Sequence, residues 1–365
     1  MYIANVSHIS LIDIKKFKSL TKVTVGRCDG LFPEELDGSI VFHSVKSLKL
    51  HVSHLTRSKS SLSKVLNCFT ALSMLAIDGG NEECVIQLPS SSSLQKLSFW
   101  DCKRLGLVPV EENGGGMQED KSLLQSLTIK GCGKLFSRWP METICPFPAS
   151  LKKLNVKGET SMKSMALLSN LTSLTTLKLS CCSNLTVDGF SPLIAVSLIQ
   201  LEVHRCNTPR LAADMLSEVA FQRAKLLPAG YISRLEKLSV GDISGLLISP
   251  ICNLLAPALH TLVFMFDWRM ESLTEEQEKA LQLLSVLQNL RFYSCIHLQS
   301  LPQGLHRLSS LKELCVISCP NIRSMPKEGL PVSLRKLQMN DCSAEIDEQI
   351  EKIKRTNPDL SVEDD

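Results

Sequence analysis

The chain of 365 residues is 44% hydrophobic but only 5% aromatic, and its 40 lysines and arginines nearly balance 37 acids for a formal charge of +3. A large core made of leucine, isoleucine and valine follows, while the charge balance excludes a chain-wide polycation seeking nucleic acid or a membrane surface. Fourteen cysteines scattered through so long a chain exclude a small disulfide-stapled secreted domain.

Composition never shifts abruptly enough to mark a domain boundary, so one elongated array is expected. The opening residues, MYIANVSHISLIDIKKF, join no basic stretch to an apolar run of signal-peptide length, and no window reaches transmembrane length. The expected location is the cytoplasm, with the nucleus also open to such a chain. Residues 1–19 read as an N-terminal cap or a truncated repeat.

From Leu20 the frame L-x-x-L-x-L-x-x-C/N recurs thirteen times with conservative swaps. It restarts at Val45, Leu72, Leu94, Leu124, Leu151, Leu174, Leu198, Leu235, Leu259, Leu287, Leu311 and Leu334, at intervals of 22 to 30 residues except one of 37. That period is the leucine-rich-repeat period, and a repeat array spanning 20–342 is expected. In each copy L-x-L makes a short strand with its leucines inward, and the strands stack into one parallel sheet because a single repeat cannot bury its own apolar face. The expected fold is an α/β solenoid, a leucine-rich-repeat horseshoe of about 13 repeats with a parallel concave β-sheet and an irregular or short-helical convex side.

Eight cysteines, Cys28, Cys102, Cys132, Cys182, Cys206, Cys295, Cys319 and Cys342, fall on the ninth frame position. One structural column is expected, where a small, weakly hydrogen-bonding side chain fills the space as the chain turns inward. No C-x-x-C pair accompanies it, so metal binding and disulfides are disfavoured. Between the strands, Pro89–Ser93 and Glu111–Asp120 are too polar and glycine-rich to pack and read as surface loops. RLAADMLSEVAFQRAKLLP has helical spacing over 210–228, and TEEQEKALQLLSVL, with Thr274 and Gln277 at capping-box spacing, predicts a helix near 274–286. Residues 343–365 read as a capping helix and an acidic tail.

The third, fifth and seventh frame positions point outward. Ten of them are basic, namely Lys22, Lys49, Lys96, Lys130, Lys153, Lys157, Lys178, Lys237, Arg291 and Lys336, against Asp78, Glu202 and Glu313, a face of about +7 that would steer an acidic partner. The plain alternative is that lysine is a soluble filler that keeps sheets from aggregating. Met74, Trp100, Val263, Met265, Tyr293 and Ile317 are apolar side chains at the same outward positions, where an exposed anchor marks contact; the alternative is cover by loops. With His204 and the central basic residues they form the candidate protein-binding face. Nucleic acid is disfavoured because only Trp100 and Tyr293 are available for stacking.

His51 and His54 are no metal pair, since on a strand they point to opposite faces. The N-x-S/T triplets at Asn5, Asn170 and Asn184 arise from Ser/Thr-rich repeats. No nucleophile, base and orienting acid cluster together, so neither an enzyme nor a cofactor is expected.

CIHLQSLPQGLHRLSSLKELCVISCPNIRSMPKEGLPVSLRKLQMNDC, residues 295–342, resembles the last repeats of grass nucleotide-binding leucine-rich-repeat disease resistance proteins. LTEEQEKALQLLSVLQNLRFYSC before it and EIDEQIEKIKRTNPDLSVEDD at the end add to the likeness. The resemblance implies a sensor of a pathogen effector or host protein, and a clamp on an acidic nucleotide-binding domain that keeps the receptor inactive. No Gly-Lys-Ser or Gly-Lys-Thr occurs, and the repeats start near Met1, so nucleotide switching is not carried over. The rival outside immunity is a substrate receptor or scaffold such as a ubiquitin-ligase adaptor, disfavoured because no F-box-like helical segment precedes the repeats.

Overall fold

Period-two alternation sets which side chains each strand turns inward, and the computed structural model buries the frame leucines of its strands accordingly. It describes residues 1–3, 10–26, 31, 40–53, 66–86, 93–108, 122–139, 145–206, 210–227, 231–357 and 359–363. Cys28, His54, Asn5, residues 89–92 and the loop 111–120 lie outside them. Packing divides the chain into two units, Met1–Ile194 and Ala195–Asp365.

In the first unit, β1 (Tyr2–Ile3), β2 (Lys22–Val25), β3 (Ser47–His51), β4 (Met74–Asp78), β6 (Lys96–Trp100), β8 (Ser126–Lys130), β9 (Lys153–Lys157) and β10 (Thr176–Ser180) form a parallel ladder in that order. A side ribbon pairs β5 (Cys84–Ile86) with β7 (Leu105–Leu107), and helix α1 (Leu11–Lys15) precedes β2. In the second unit, β11 (Gln200–His204), β12 (Lys237–Val240), β13 (Thr261–Met265), β14 (Asn289–Tyr293), β15 (Glu313–Ile317), β16 (Lys336–Asn340) and β17 (Ser361–Glu363) do the same. Helices α2 (Leu211–Leu226), α3 (Ile243–Leu246), α4 (Ser249–Leu255), α5 (Glu275–Gln282) and α6 (Ala344–Thr356) carry its chain between strands. Each unit is a leucine-rich-repeat solenoid.

The frame leucines of neighbouring coils are buried side by side; Leu154, Leu177, Leu262, Leu290 and Leu314 are fully enclosed. The two ends of each strand are pinned differently. At its start, the carbonyl of the second frame residue accepts two N–H groups from the next coil: Gln125 O takes Lys152 N and Lys153 N, both at 2.9 Å, and Gln288 O takes Lys312 N at 2.8 Å and Glu313 N at 3.0 Å. At its end, the eighth frame residue turns left-handed. Gly79, Asp101, Gly131, Gly158, Cys181, Arg205, Phe266, Ser294, Ser318 and Asp341 all have positive φ, between 51° and 115°. For a side chain other than glycine this costs about 1–2 kcal/mol.

The cost is offset by what the turn achieves. It aims the residue's N–H at the next coil: Asp101 N donates to Lys130 O at 2.8 Å, Gly131 N to Lys157 O at 2.8 Å, Ser294 N to Ile317 O at 2.9 Å and Ser318 N to Asn340 O at 2.9 Å. It also swings the ninth residue inward. Cys132 Sγ lies 3.6 Å from Lys130 O, Cys319 Sγ 3.4 Å from Ile317 O and Cys342 Sγ 3.6 Å from Asn340 O, so thiol and backbone amide converge on the same carbonyl oxygens. In two repeats the rule lapses: Val52 is not left-handed although its N–H still reaches Asp78 O at 2.7 Å, and Asp242 keeps a φ of −132° and caps α3, accepting from Gly245 N at 3.1 Å. The capping box of α5 closes as well, with Gln277 N donating to Thr274 Oγ1 at 3.3 Å and Thr274 N to Gln277 Oε1 at 2.8 Å.

Beyond α6 the residues read as an acidic tail include β17, which adds a rung against β16. Two ninth positions hold buried carboxylates, Glu159 and Asp267. Glu159 is fully buried and accepts from Ser161 N at 3.0 Å, Ser161 Oγ at 2.5 Å and Leu135 N at 3.4 Å. Burial outweighs these donors and pushes its carboxyl above the ordinary value of 4.5.

Two stability predictions follow from the strand exits. Gly131→Val forces a β-branched residue into φ +68° with Asp101 close by, and is expected to cost about 1–3 kcal/mol in urea unfolding. Because the folded pKa of Glu159 is raised, its contribution to stability is full below 4.5 and is lost as pH rises through the raised value. Relative to Glu159→Gln, the wild type should therefore lose stability as pH rises above the ordinary carboxyl range, and parallel pH profiles would remove this account.

Candidate functional site

With the leucines inward, the alternate residues of each strand point away from the core. In the first unit they make a face that is polar, basic and open. Met74 and Trp100 are exposed at 39% and 38%. Lys96, Lys153 and Lys157 are exposed, Lys178 is half-buried, and Lys130 lies over the Trp100 ring at 4.6 Å from its centroid. Seven outward lysines stand there against one acid, Asp78, which Lys49 meets at 2.6 Å, so the face carries seven minus one, or +6.

The outward face of the second unit is different. Arg291 Nη2 lies 3.1 Å from Glu313 Oε2 and Lys336 Nζ 2.8 Å from Glu363 Oε1, each on the neighbouring strand. Glu363, on a strand absent from the thirteen-copy frame, brings the acids there to three with Glu202 and Glu313, against Lys237, Arg291 and Lys336, and the net charge is zero. The basic bias inferred for the whole array belongs to the first unit.

Val263, expected as an exposed anchor, is 6% exposed. Its register neighbours on β12 and β14 are Ser239 and Arg291, and beside it Ser239 Oγ meets Met265 Sδ at 3.2 Å, so the local side chains close over the short valine. Met265, Tyr293 and Ile317 are half-buried on three successive strands. Tyr293 Oη takes the thiol of Cys315 at 3.7 Å, and Cys315 itself is buried although its frame position points outward. Burial pushes both the Tyr293 hydroxyl and the Cys315 thiol up, keeping them protonated at neutral pH. His204 meets Glu202 at 3.1 Å and its ring centre lies 5.8 Å from that of Phe266, which Arg205 covers at 4.3 Å. Phe266, Arg205 and the exposed Trp268 went unnoticed in the sequence because they follow the strands, where the frame assigns no direction.

No protein-family model matches the chain. Over 209 residues, 53% of the chain, it is 28% identical to the disease resistance protein RPS4B of Arabidopsis thaliana, and it covers 16% of that protein's length. Among solved structures, the leucine-rich-repeat protein LIC12759 of Leptospira interrogans aligns with 99% of this chain and 95% of its own at 18% identity and a TM-score of 0.45. The chain is thus a distant relative of a plant disease resistance protein over about half its length. No helix among the described residues is long and apolar enough to cross a membrane.

The two kinds of outward apolar position are separable by experiment. Val263→Ala removes buried methyl groups and should cost about 1–2 kcal/mol in denaturant unfolding, whereas Met74→Ala should stay within about 0.5 kcal/mol of wild type. Equal costs would return Val263 to the open face.

Proposed function

We propose that the chain is the protein-recognition module of a plant intracellular immune receptor of the grass nucleotide-binding leucine-rich-repeat kind, taken from its C-terminal repeats and acting in the cytoplasm. It works by binding, without catalysis or cofactor. Its ligand is a pathogen effector or a host protein, and in the resting receptor the same basic face docks an acidic nucleotide-binding domain.

The observation that carries this reading is the pair Met74 and Trp100, large apolar side chains held open on neighbouring strands of a face that needs neither for folding. Support comes also from the likeness of residues 295–342 to that family and from the distant relation to an Arabidopsis disease resistance protein.

The test is proximity labelling in grass leaf protoplasts by the full chain fused to a promiscuous biotin ligase, with and without pathogen challenge. A set of neighbours that appears only on challenge is expected, and Met74→Ala with Trp100→Ala should remove it while the protein level is unchanged. No challenge-dependent set, or one indifferent to the double substitution, would overturn the proposal.

A further inference from the structure

On β6, β8, β9 and β10, four strands in unbroken parallel register, twelve side chains point outward. Five are lysine, one is Trp100, and the other six are serine, threonine or asparagine; none is acidic. Lys130 and Lys157 stand directly opposite each other across β8 and β9, an arrangement of like charges that disfavours the folded sheet. Elsewhere three of the five outward cations are matched: Lys49 by Asp78, Arg291 by Glu313, Lys336 by Glu363. Among the described residues, Lys96, Lys153 and Lys157 pair with no carboxylate. No outward carboxylate stands on these four strands, and their lysines are grouped where the other outward cations are single.

We infer that this patch binds an acidic, extended segment of a protein partner, with Lys96, Lys130, Lys153, Lys157 and Lys178 receiving its carboxylates and Trp100 an apolar side chain at its edge. The inference rests on reading the outward face as the recognition surface and names the chemistry of what it recognises.

Three features favour a polypeptide over a nucleic acid. Stacking of successive bases needs a row of aromatic faces, and here the lone Trp100 ring already carries Lys130. The lysines are dispersed: Lys153 and Lys157 lie about 13 Å apart along one strand, and Lys96 and Lys153 about 10 Å apart across two rungs. Carboxylates on one side of an extended peptide recur at about 7 Å, so alternate acids of a segment crossing the rungs reach successive lysines. The hydroxyl and amide groups between them suit peptide N–H and C=O groups.

The experiment is fluorescence anisotropy of a fluorescein-labelled dodecapeptide of alternating glutamate and serine, titrated with the full chain. Saturable binding that weakens with salt is expected. Lys153→Glu with Lys157→Glu should weaken it by about tenfold or more, while Lys237→Glu, in the other unit, should leave it within about twofold. Lys153→Gln with Lys157→Gln should fall between, and circular dichroism of each variant confirms its fold. Absence of saturable binding, equal loss in Lys237→Glu, or equal affinity for a charge-matched oligothymidylate would each overturn the inference. Peptide binding without challenge-dependent neighbours in leaf cells would keep this inference and discard the immune assignment. Neighbours lost with Trp100 but no peptide binding would do the reverse.

Discussion

A single carbonyl at the end of each strand holds the architecture together. In the cysteine-bearing copies the seventh frame residue offers its oxygen to two donors at once, the amide of the left-handed residue in the preceding coil and the thiol two residues on in its own. Tyr293 O receives Phe266 N at 2.9 Å with Cys295 Sγ 3.7 Å away, and Ser180 O receives Gly158 N at 2.9 Å with Cys182 Sγ 3.6 Å away. In these copies the positive φ of the eighth residue puts both donors in place. The strain of about 1–2 kcal/mol at a side chain such as Phe266 or Ser294 is therefore coupled to two hydrogen bonds that would otherwise be missing beside the core. The constraint also fixes how far each strand runs, and so which residues face outward.

That coupling explains why one half of the device was legible in the sequence and the other was not. The thiol column repeats a residue type, and repetition at a fixed spacing can be seen. The left-handed position holds Asp101, Cys181, Arg205, Phe266 and Ser294, which share no chemistry; its conformation is imposed by hydrogen bonds from a coil more than twenty residues away. Glu159 in the thiol column was equally invisible, because its acceptance depends on Ser161 and Leu135 supplying donors to a side chain with no exposure.

For the outward face, the frame gives direction but not exposure. Lys153, Trp100 and Met74 are open as the alternation implies, yet Val263 and Cys315, at equivalent positions, are covered by longer neighbours. Val263 and Cys315 both lie beside the long Arg291 on β14, and only the register of adjacent strands tells which neighbours a side chain has. The strand Ser361–Glu363 lacks the leucines of the frame and was passed over, so the acid that balances Lys336 was not counted on this face.

The charge of the chain misleads in the same way, because a whole-chain +3 conceals one outward face at +6 and another at zero. What matters to a ligand is whether the charges act together. At physiological ionic strength screening sets in over about 8 Å, and neighbouring strands stand about 4.8 Å apart. Lysines on adjacent or next-but-one rungs, from β6 to β10, therefore sum their fields at one spot, while Lys22, three rungs from β6, adds almost nothing there. A carboxylate placed within this group gains from several lysines at once; the same carboxylate beside Arg291 or Lys336 must first displace Glu313 or Glu363. The preference for an acidic segment is thus a property of four strands, created as much by the acids withheld from them as by the lysines they carry.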